Sequence, residues 1–281
     1  MIQDLRRFLE EDLGFLDLTS DLLIPKGLKA RGVIVVKEEG IIAGLEEAEA
    51  IFKSLGLEVN LLKKDGDLAK PGEVVLEVRG DARKILMAER TVLNLMMRMS
   101  GIATETRKCV ERLKKSGLNV RIAATRKTAP GLRFFDKKAV MLGGGDPHRF
   151  RLDDAVLIKD NHVRLVGSVR EAVRRIRERL SFVKKLEVEV RSVEEAIEAA
   201  EEGADILLLD NMSVEEVKET IKALKSRNLY DKVLLEASGR INFSNLLDYA
   251  STGVHILSLG YLTHSVKALD MSLEIVEILS S

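Results

Sequence analysis

Arg126, Lys127, His148, Arg149 and Lys159 fall in one stretch, residues 121–164. It carries ten Lys and Arg against five Asp and Glu in a chain of zero net charge. Gly143-Gly144-Gly145 interrupts it. Fixed cations beside backbone without side chains suit a small polyanion. A solvated basic surface fits less well, because Arg126, Lys127 and Lys159 stand at the ends of apolar runs. An arginine grips a carboxylate or phosphate through two parallel hydrogen bonds, and a lysine acts as a point charge. Salt bridges to Asp136, Asp146 or Asp153 compete with that role. His148 suits a hydrogen-bond donor to an anion, a general acid, or a structural loop histidine. The glycine triplet admits a ligand close to the backbone or simply makes a turn. Lys159 suits anion binding or a Schiff base. A Schiff-base lysine needs a depressed pKa, and the carboxylate of Asp160 next to it favours a charged, anion-binding lysine.

Two further groups follow. Glu189 and Asp210 end successive apolar runs, and carboxylates at one edge can hold Mg²⁺ directly or through its waters. Pairing with nearby Lys and Arg is their alternative. Ser238-Gly239 and Gly260 follow the last two runs, where backbone N–H groups can hold a phosphate or merely form turns. Cys109, beside Val110 on a helical pattern, reads as a small buried hydrophobe. The Met87, Met96, Met97 and Met99 group reads as packing, and His255 and His264 have no evident partner. The sequence has no GxGxxG, GxxxxGK[ST] or HExxH motif.

The elements that must position these residues change character near residue 103. Before it, Val33–Val36 and Val74–Val78 read as strands punctuated by Gly40, Asp65-Gly66-Asp67 and Pro71-Gly72. Leu45–Leu55 and Lys84–Met99 have helical apolar spacing. After it, apolar runs recur at Val120–Ala124, Ala155–Ile158, Leu186–Val190, Ile206–Leu209, Val233–Leu235 and His255–Leu259. Amphipathic stretches such as Val169–Leu180, Val193–Ala200 and Val214–Lys225 separate most of them. Buried strands alternating with such helices predict a parallel sheet with helices outside. About six units fall short of a full eight-unit barrel of ~250 residues. The expected architecture is an α+β sandwich domain over 1–103, then an incomplete parallel α/β barrel over 104–281. A C-terminal helix is expected to pack back on the first domain. Each run delivers a polar residue or a glycine at its carboxyl end, where parallel βα folds bind ligands.

Composition excludes several classes. Hydrophobic content of 46% and charged content of 32% over 281 residues mark a globular chain. No apolar run approaches a membrane span, and the amphipathic N-terminus is not a secretory signal. Zero net charge argues against a nucleic-acid binder. A single cysteine points to a cytoplasmic setting. Abundant Glu, Lys and Arg with one glutamine and no Trp match thermophile composition.

Taken together, AERTVLNL (88–95), SGIAT (100–104), ATRKTAPGLR (124–133), GGGDPHR (143–149), LIKDNH (157–162), EVEV (187–190), GADILLLDNM (203–212), EASGR (236–240) and LTHS (262–265) resemble the quinolinate phosphoribosyltransferase family of NAD biosynthesis. The resemblance covers nearly the whole chain. It implies conversion of quinolinate and phosphoribosyl pyrophosphate to nicotinate mononucleotide, pyrophosphate and CO₂. It implies catalytic roles for Lys127, Lys159, Glu189 and Asp210. It implies that Arg90, Thr125, Arg126, Lys127, His148, Arg149, Lys159, Glu189 and Asp210 bind substrate, and that Ser238, Gly239, Arg240, Leu259 and Gly260 bind phosphate. Mg²⁺ is the implied cofactor, at Glu189 and Asp210. At least a homodimer is implied, with Arg90 acting across the interface. Three positions depart from the family pattern: Pro147 before His-Arg, Arg240 in place of a glycine, and His255 before the last barrel strand. Arg240 would be strained if its backbone needs positive φ. A molybdenum-transport-associated paralogue, a Schiff-base aldolase and a non-enzymatic phosphometabolite sensor are the alternatives. Retention of the five-residue cation set argues against the first.

Overall fold

The computed structural model describes residues 2–279. The chain divides into two units. One holds residues up to Arg107, Met141–Gly143 and the segment from Val266; the other holds Lys108–Val140 and Gly144–Ser265. The first unit opens with α1 (Ile2–Leu13) and α2 (Leu18–Leu23), followed by β1 (Lys29–Val36), β2 (Gly40–Ile41), α3 (Leu45–Ser54), β3 (Glu58–Leu61), β4 (Leu68–Ala69) and β5 (Val74–Asp81). The helix α4 (Ala82–Lys115) continues through residue 103 without a break and carries the chain into the second unit.

The second unit runs β6 (Arg121–Ala123), α5 (Arg133–Leu142), β7 (Val156–Ile158), α6 (Asp160–Val166), α7 (Val169–Arg177), β8 (Leu186–Val190), α8 (Val193–Glu201), β9 (Ile206–Asp210), α9 (Val214–Ser226), β10 (Leu234–Ser238), α10 (Leu246–Ala250), β11 (Ile256–Ser258) and α11 (Tyr261–His264). Its strands form one sheet in the order β6-β11-β10-β9-β8-β7, and all the pairings are parallel. The expected incomplete α/β barrel with six βα units is therefore present. Beyond β6, a parallel bridge joins Ala123 to Asp146. Its bonds run from Asp146 N–H to Ile122 O and from Ala124 N–H to Asp146 O, so the segment leading to His148 is attached to the barrel wall.

The strands alternate. Leu186, Val188, Val190, Leu207, Leu209, Leu235, Ala237, Leu257 and Leu259 pack with the helices in one buried apolar cluster. Their neighbours Glu187, Glu189, Asp210, Glu236, Ser238 and Ser258 occupy the other face. Because side chains alternate along a strand, the period of two in Leu-Glu-Val-Glu-Val separates an apolar outer face from a polar interior. The helices start under local control. Ser168, Ser192 and Ser213 cap α7, α8 and α9, each accepting the N–H of a glutamate three residues on, at 3.2, 3.1 and 3.3 Å.

The C-terminus differs from expectation. Residues 271–279 form a strand, β12 (Met271–Leu279), not a helix, and it is antiparallel to β1 in the first unit's sheet β12-β1-β5-β3. The register skips one residue, from Gly32 opposite Ile275 to Arg31 opposite Glu277, which leaves Val276 as a bulge. That extra residue breaks the strict alternation of apolar positions and gives the segment a helix-like spacing. No helix among the described residues is long and apolar enough to cross a membrane.

Candidate active site

A cavity of about 310 Å³ opens at the carboxyl edge of the barrel strands. Thr125, Arg126 and Lys127 after β6, His148 and Arg149, Lys159 after β7, Glu189 on β8, Asp210 on β9, Glu236 and Ser238 on β10, and Ser258 on β11 all line it. The structure thus brings all the expected second-unit substrate residues to one cavity. Cations from β6, β7 and the 146–149 segment make one wall, and carboxylates from β8 and β9 make the other.

The cation wall is held from behind. Lys137 on α5 is fully buried. Its Nζ donates to the carbonyls of Pro147 and, at 2.6 Å, Arg149, bracketing His148. Burial, with help from Arg133, pulls this ammonium down to about 8. Asp146 Oδ1 accepts the His148 N–H at 2.8 Å. Arg149 is fixed by a 3.0 Å bond from Nη1 to Ala155 O, and burial and the neighbouring Arg126 lower its proton affinity. Arg126 Nε is buried with no hydrogen-bond partner among the described residues. A buried guanidinium donor without a protein acceptor is costly and suits an incoming anion. Lys127 and Lys159 are exposed. The Lys159 N–H donates to His162 Nδ1 at 2.9 Å, so the histidine of LIKDNH caps the start of α6.

His148 differs from its sequence reading. Nε2 lies 3.3 Å from Glu236 and 3.5 Å from Glu187. The Arg149 N–H points at Nδ1 from 2.7 Å. Both ring nitrogens are engaged within the protein, so the ring offers charge to a ligand rather than a free donor. The Nδ1 contact favours a neutral ring; the two carboxylates, 2% and 1% exposed, favour a cation. A ring protonated on Nε2 satisfies both contacts, donating to a carboxylate there and accepting the Arg149 N–H on Nδ1. Burial alone would lower the imidazole, but the bonds to Glu187 and Glu236 push it up to about 10.

On the opposite wall, burial and the neighbouring Asp210 raise the Glu189 carboxyl. Arg191 donates from Nη2 to Glu189 at 3.2 Å and to Asp210 at 3.4 Å, and its Nη1 lies 3.2 Å from Asp160. Two carboxylates at one edge, with the charge of at least one disfavoured by its surroundings, form a hard oxygen donor set that fits a divalent cation.

The expected phosphate residues separate. Ser238 lines the cavity. Gly239 follows it at φ 97°, where an added Cβ would run into Asn211, so the tight turn requires glycine. Arg240 has φ 53°; the strain anticipated from its sequence is present, and its side chain is exposed. Gly260 follows β11 but is not in the cavity lining. Leu259 does not reach the cavity: its side chain is buried and its N–H donates to Ala123 O at 2.9 Å. The inner strand face includes Ser258, not Leu259, because of the two-residue period. His148, Asn211 and Arg240, three of the four non-glycine residues with positive φ among the described residues, flank this site. Such strain concentrates where function holds the backbone.

Other expectations resolve as structure. Gly143 serves close packing: a Cβ there would strike Thr106 and the Ala103 carbonyl on α4. His255 accepts the Leu235 N–H on Nδ1 at 2.9 Å and lies against Tyr230. Cys109 is buried, its Sγ 3.1 Å from the Tyr261 hydroxyl. Arg90 lies exposed on α4, in the first unit, and is not in the cavity lining. Sequence reasoning missed Lys137, Glu187, Glu236 and Arg191 as parts of the site. The alternation in EVEV was the available signal for Glu187; nothing local marked Lys137.

An incomplete parallel βα barrel with cations facing carboxylates at its strand ends defines a class of enzyme acting on anionic small molecules. Residues 17–100 match the family model for the quinolinate phosphoribosyl transferase N-terminal domain, and residues 102–274 match the C-terminal domain. The chain is 51% identical over 275 residues to the probable nicotinate-nucleotide pyrophosphorylase (carboxylating) of Methanothermobacter thermautotrophicus, covering 98% of this chain and 99% of that one. It is 50% identical to the protein of the same description from Methanocaldococcus jannaschii, with 97% and 96% covered. A crystal structure of a NadC deletion mutant in a cubic space group superposes with a TM-score of 0.92 at 37% identity, covering 99% of this chain and 96% of that one. The chain belongs to the quinolinate phosphoribosyl transferase family.

Proposed function

We propose that this enzyme transfers the phosphoribosyl group of phosphoribosyl pyrophosphate to quinolinate with loss of CO₂, giving nicotinate mononucleotide and pyrophosphate for NAD biosynthesis. The observation that carries this reading is the two-walled cavity, with Arg126, Lys127, His148, Arg149 and Lys159 opposite Glu189 and Asp210. Quinolinate has two carboxylates, and the cation wall supplies paired charge to orient them. The pyridine nitrogen then attacks the anomeric carbon as the bond to pyrophosphate breaks, the leaving group taking the electron pair. Glu189 and Asp210 stabilise the oxocarbenium character of that carbon. Ser238 and the Gly239 turn receive the 5′-phosphate. The new ring–sugar bond leaves the nitrogen positive. That charge holds the electron pair left on the ring carbon as CO₂ departs, and the Lys127 or Lys159 ammonium returns a proton to the carbon.

Mg²⁺ belongs to this reading, held by Glu189 and Asp210 and supplying charge to neutralise the departing pyrophosphate. So does a cytoplasmic setting. So too does an assembly of at least two copies, in which the exposed Arg90 enters the cavity of a second copy. Mixing R90A with R149A, each impaired at low quinolinate, then raises activity above that of either alone, because some cavities receive both arginines; no recovery at any mixing ratio removes Arg90 from this role. The activity is tested by incubating the protein with phosphoribosyl pyrophosphate, Mg²⁺ and equal quinolinate and nicotinate. Mass detection of nicotinate mononucleotide with CO₂ release from quinolinate is expected. Product formed from nicotinate alone would overturn the assignment.

A further inference from the structure

Arg126 and Lys127 stand on one loop of the cavity and His148 and Arg149 on another, with α5 between them in the chain. Burial and then the charge of Arg126 lower the proton affinity of Arg149, so the two arginines lie close and repel each other when no anion separates them. One face of α5 holds both loops. Arg133 and Lys137 are four residues apart on this helix and therefore share a side of it. Arg133 Nε donates to Thr128 Oγ1 at 3.1 Å in the first loop, and its Nη1 donates to Phe150 O at 3.3 Å in the second. The Thr128 N–H in turn donates to Arg126 O at 2.9 Å. Lys137 Nζ donates to the carbonyls of Pro147 and Arg149 and lies 5.2 Å from the centre of the Phe150 ring. The carbonyls of residues 147, 149 and 150 thus all end on two side chains of one helix. Lys137 is buried, Arg133 is half-buried, and neither lines the cavity.

We propose that Arg133 and Lys137 are positioning residues: one face of α5 clamps the 125–128 and 146–150 loops into a single unit and sets the spacing of Arg126 and Arg149 before a ligand arrives. Arg133 suits this role because its planar fork reaches acceptors in both loops at once, whereas a lysine there supplies one point donor. Lys137 suits it because an ammonium has three donors and can hold two carbonyls together. The spacing matters for a dicarboxylate, which engages two cations in one geometry only where they stand at the right separation. Glu189 and Asp210 lie outside the clamp, since they are placed by β8 and β9. The dicarboxylate part of this inference rests on the proposed function; the joining of the two loops does not.

The clamp is tested first without substrate. Backbone amide exchange is followed by mass spectrometry in the 121–132 and 144–151 segments of the unmodified protein, R133M and R133K. R133M is expected to speed exchange in both segments by about 5-fold or more, the loss of a hydrogen bond to each. R133K, which keeps a donor without the fork, is expected to fall between. K137M is expected to speed exchange in the 144–151 segment; because Lys137 is buried, R133M carries the test if that variant folds poorly. In R133M the KM for quinolinate is then expected to rise by about 5-fold or more, with the KM for phosphoribosyl pyrophosphate nearly unchanged. Faster exchange in only one segment of R133M, or in neither, overturns the proposal. So does faster exchange throughout the barrel with both KM values rising equally, the signature of a general structural role. If the unmodified protein binds no quinolinate, the activity reading fails while the exchange measurement still decides this one.

Discussion

The two walls of the cavity are built differently. The cation wall rises from loops: the 125–127 turn, the strained 146–149 segment and the residue after β7. It is held by Lys137 on two backbone carbonyls and by Asp146 on the His148 N–H. The carboxylate wall is the regular end of β8 and β9, with Glu189 and Asp210 placed by strand geometry and bridged by Arg191. In the proposed reaction the loop wall orients a flat dicarboxylate, and the strand wall places charge where a sugar carbon becomes positive.

The largest expected effect breaks the rigid wall. Glu189→Gln keeps the shape and removes the charge, so kcat is expected to fall by about 10²–10³-fold, the range for losing one preorganised electrostatic group. The KM for quinolinate changes little; steady-state kinetics with each substrate varied checks both. Next comes the strand scaffold. Leu207→Ala removes a fully buried outer-face side chain and is expected to cost about 2–5 kcal/mol. The melting temperature drops accordingly while the kinetic constants of the folded enzyme stay near wild type. A kinetic defect in the folded protein would show that the two strand faces are not independent.

On the loop wall, Arg126→Ala removes a charged donor and is expected to weaken quinolinate binding by roughly 10–100-fold, matching about 1.5–3 kcal/mol for a charge-assisted bond. Calorimetry without the second substrate checks it, and unchanged affinity would take Arg126 out of the wall. A smaller effect concerns pH. His148 is raised in the fold to about 10 from 6.5, so its contribution to stability is complete below pH 6.5 and is lost as pH rises towards 10. Thermal melts are expected to show stability declining across that window, and less steeply in H148N. An equal slope in the variant would contradict the ion cluster. Smallest is Arg191→Ala. Arg191 is half-exposed, and such pairs contribute about 0–1 kcal/mol. Only a few-fold change in activity is expected, visible as altered Mg²⁺ dependence.

The same contrast explains what could be read without coordinates. The barrel was legible because its outer face is continuous leucine, valine and isoleucine, and the strand ends were legible because polar residues interrupt those runs. The cation wall showed as a local charge excess. Glu187 and Glu236 were hidden, because their partner His148 lies far from both in sequence and only the barrel brings them together. Lys137 was hidden for the same reason: a lysine on a helix reads as solvated until its carbonyl acceptors are placed. β12 was misread because one bulged residue, Val276, shifts its apolar phase. Leu259 turns its side chain to the core and Ser258 to the cavity, because a one-residue offset on a strand exchanges the two faces.

The two-wall arrangement is tested most directly by measuring KM for quinolinate and for phosphoribosyl pyrophosphate separately in R149A and D210N. R149A is expected to raise the KM for quinolinate by roughly 10-fold or more, the loss of a charge-assisted contact, and to leave that for phosphoribosyl pyrophosphate nearly unchanged. D210N is expected to do the reverse. Both constants moving together in both variants would contradict the division of the cavity into a dicarboxylate wall and a sugar wall.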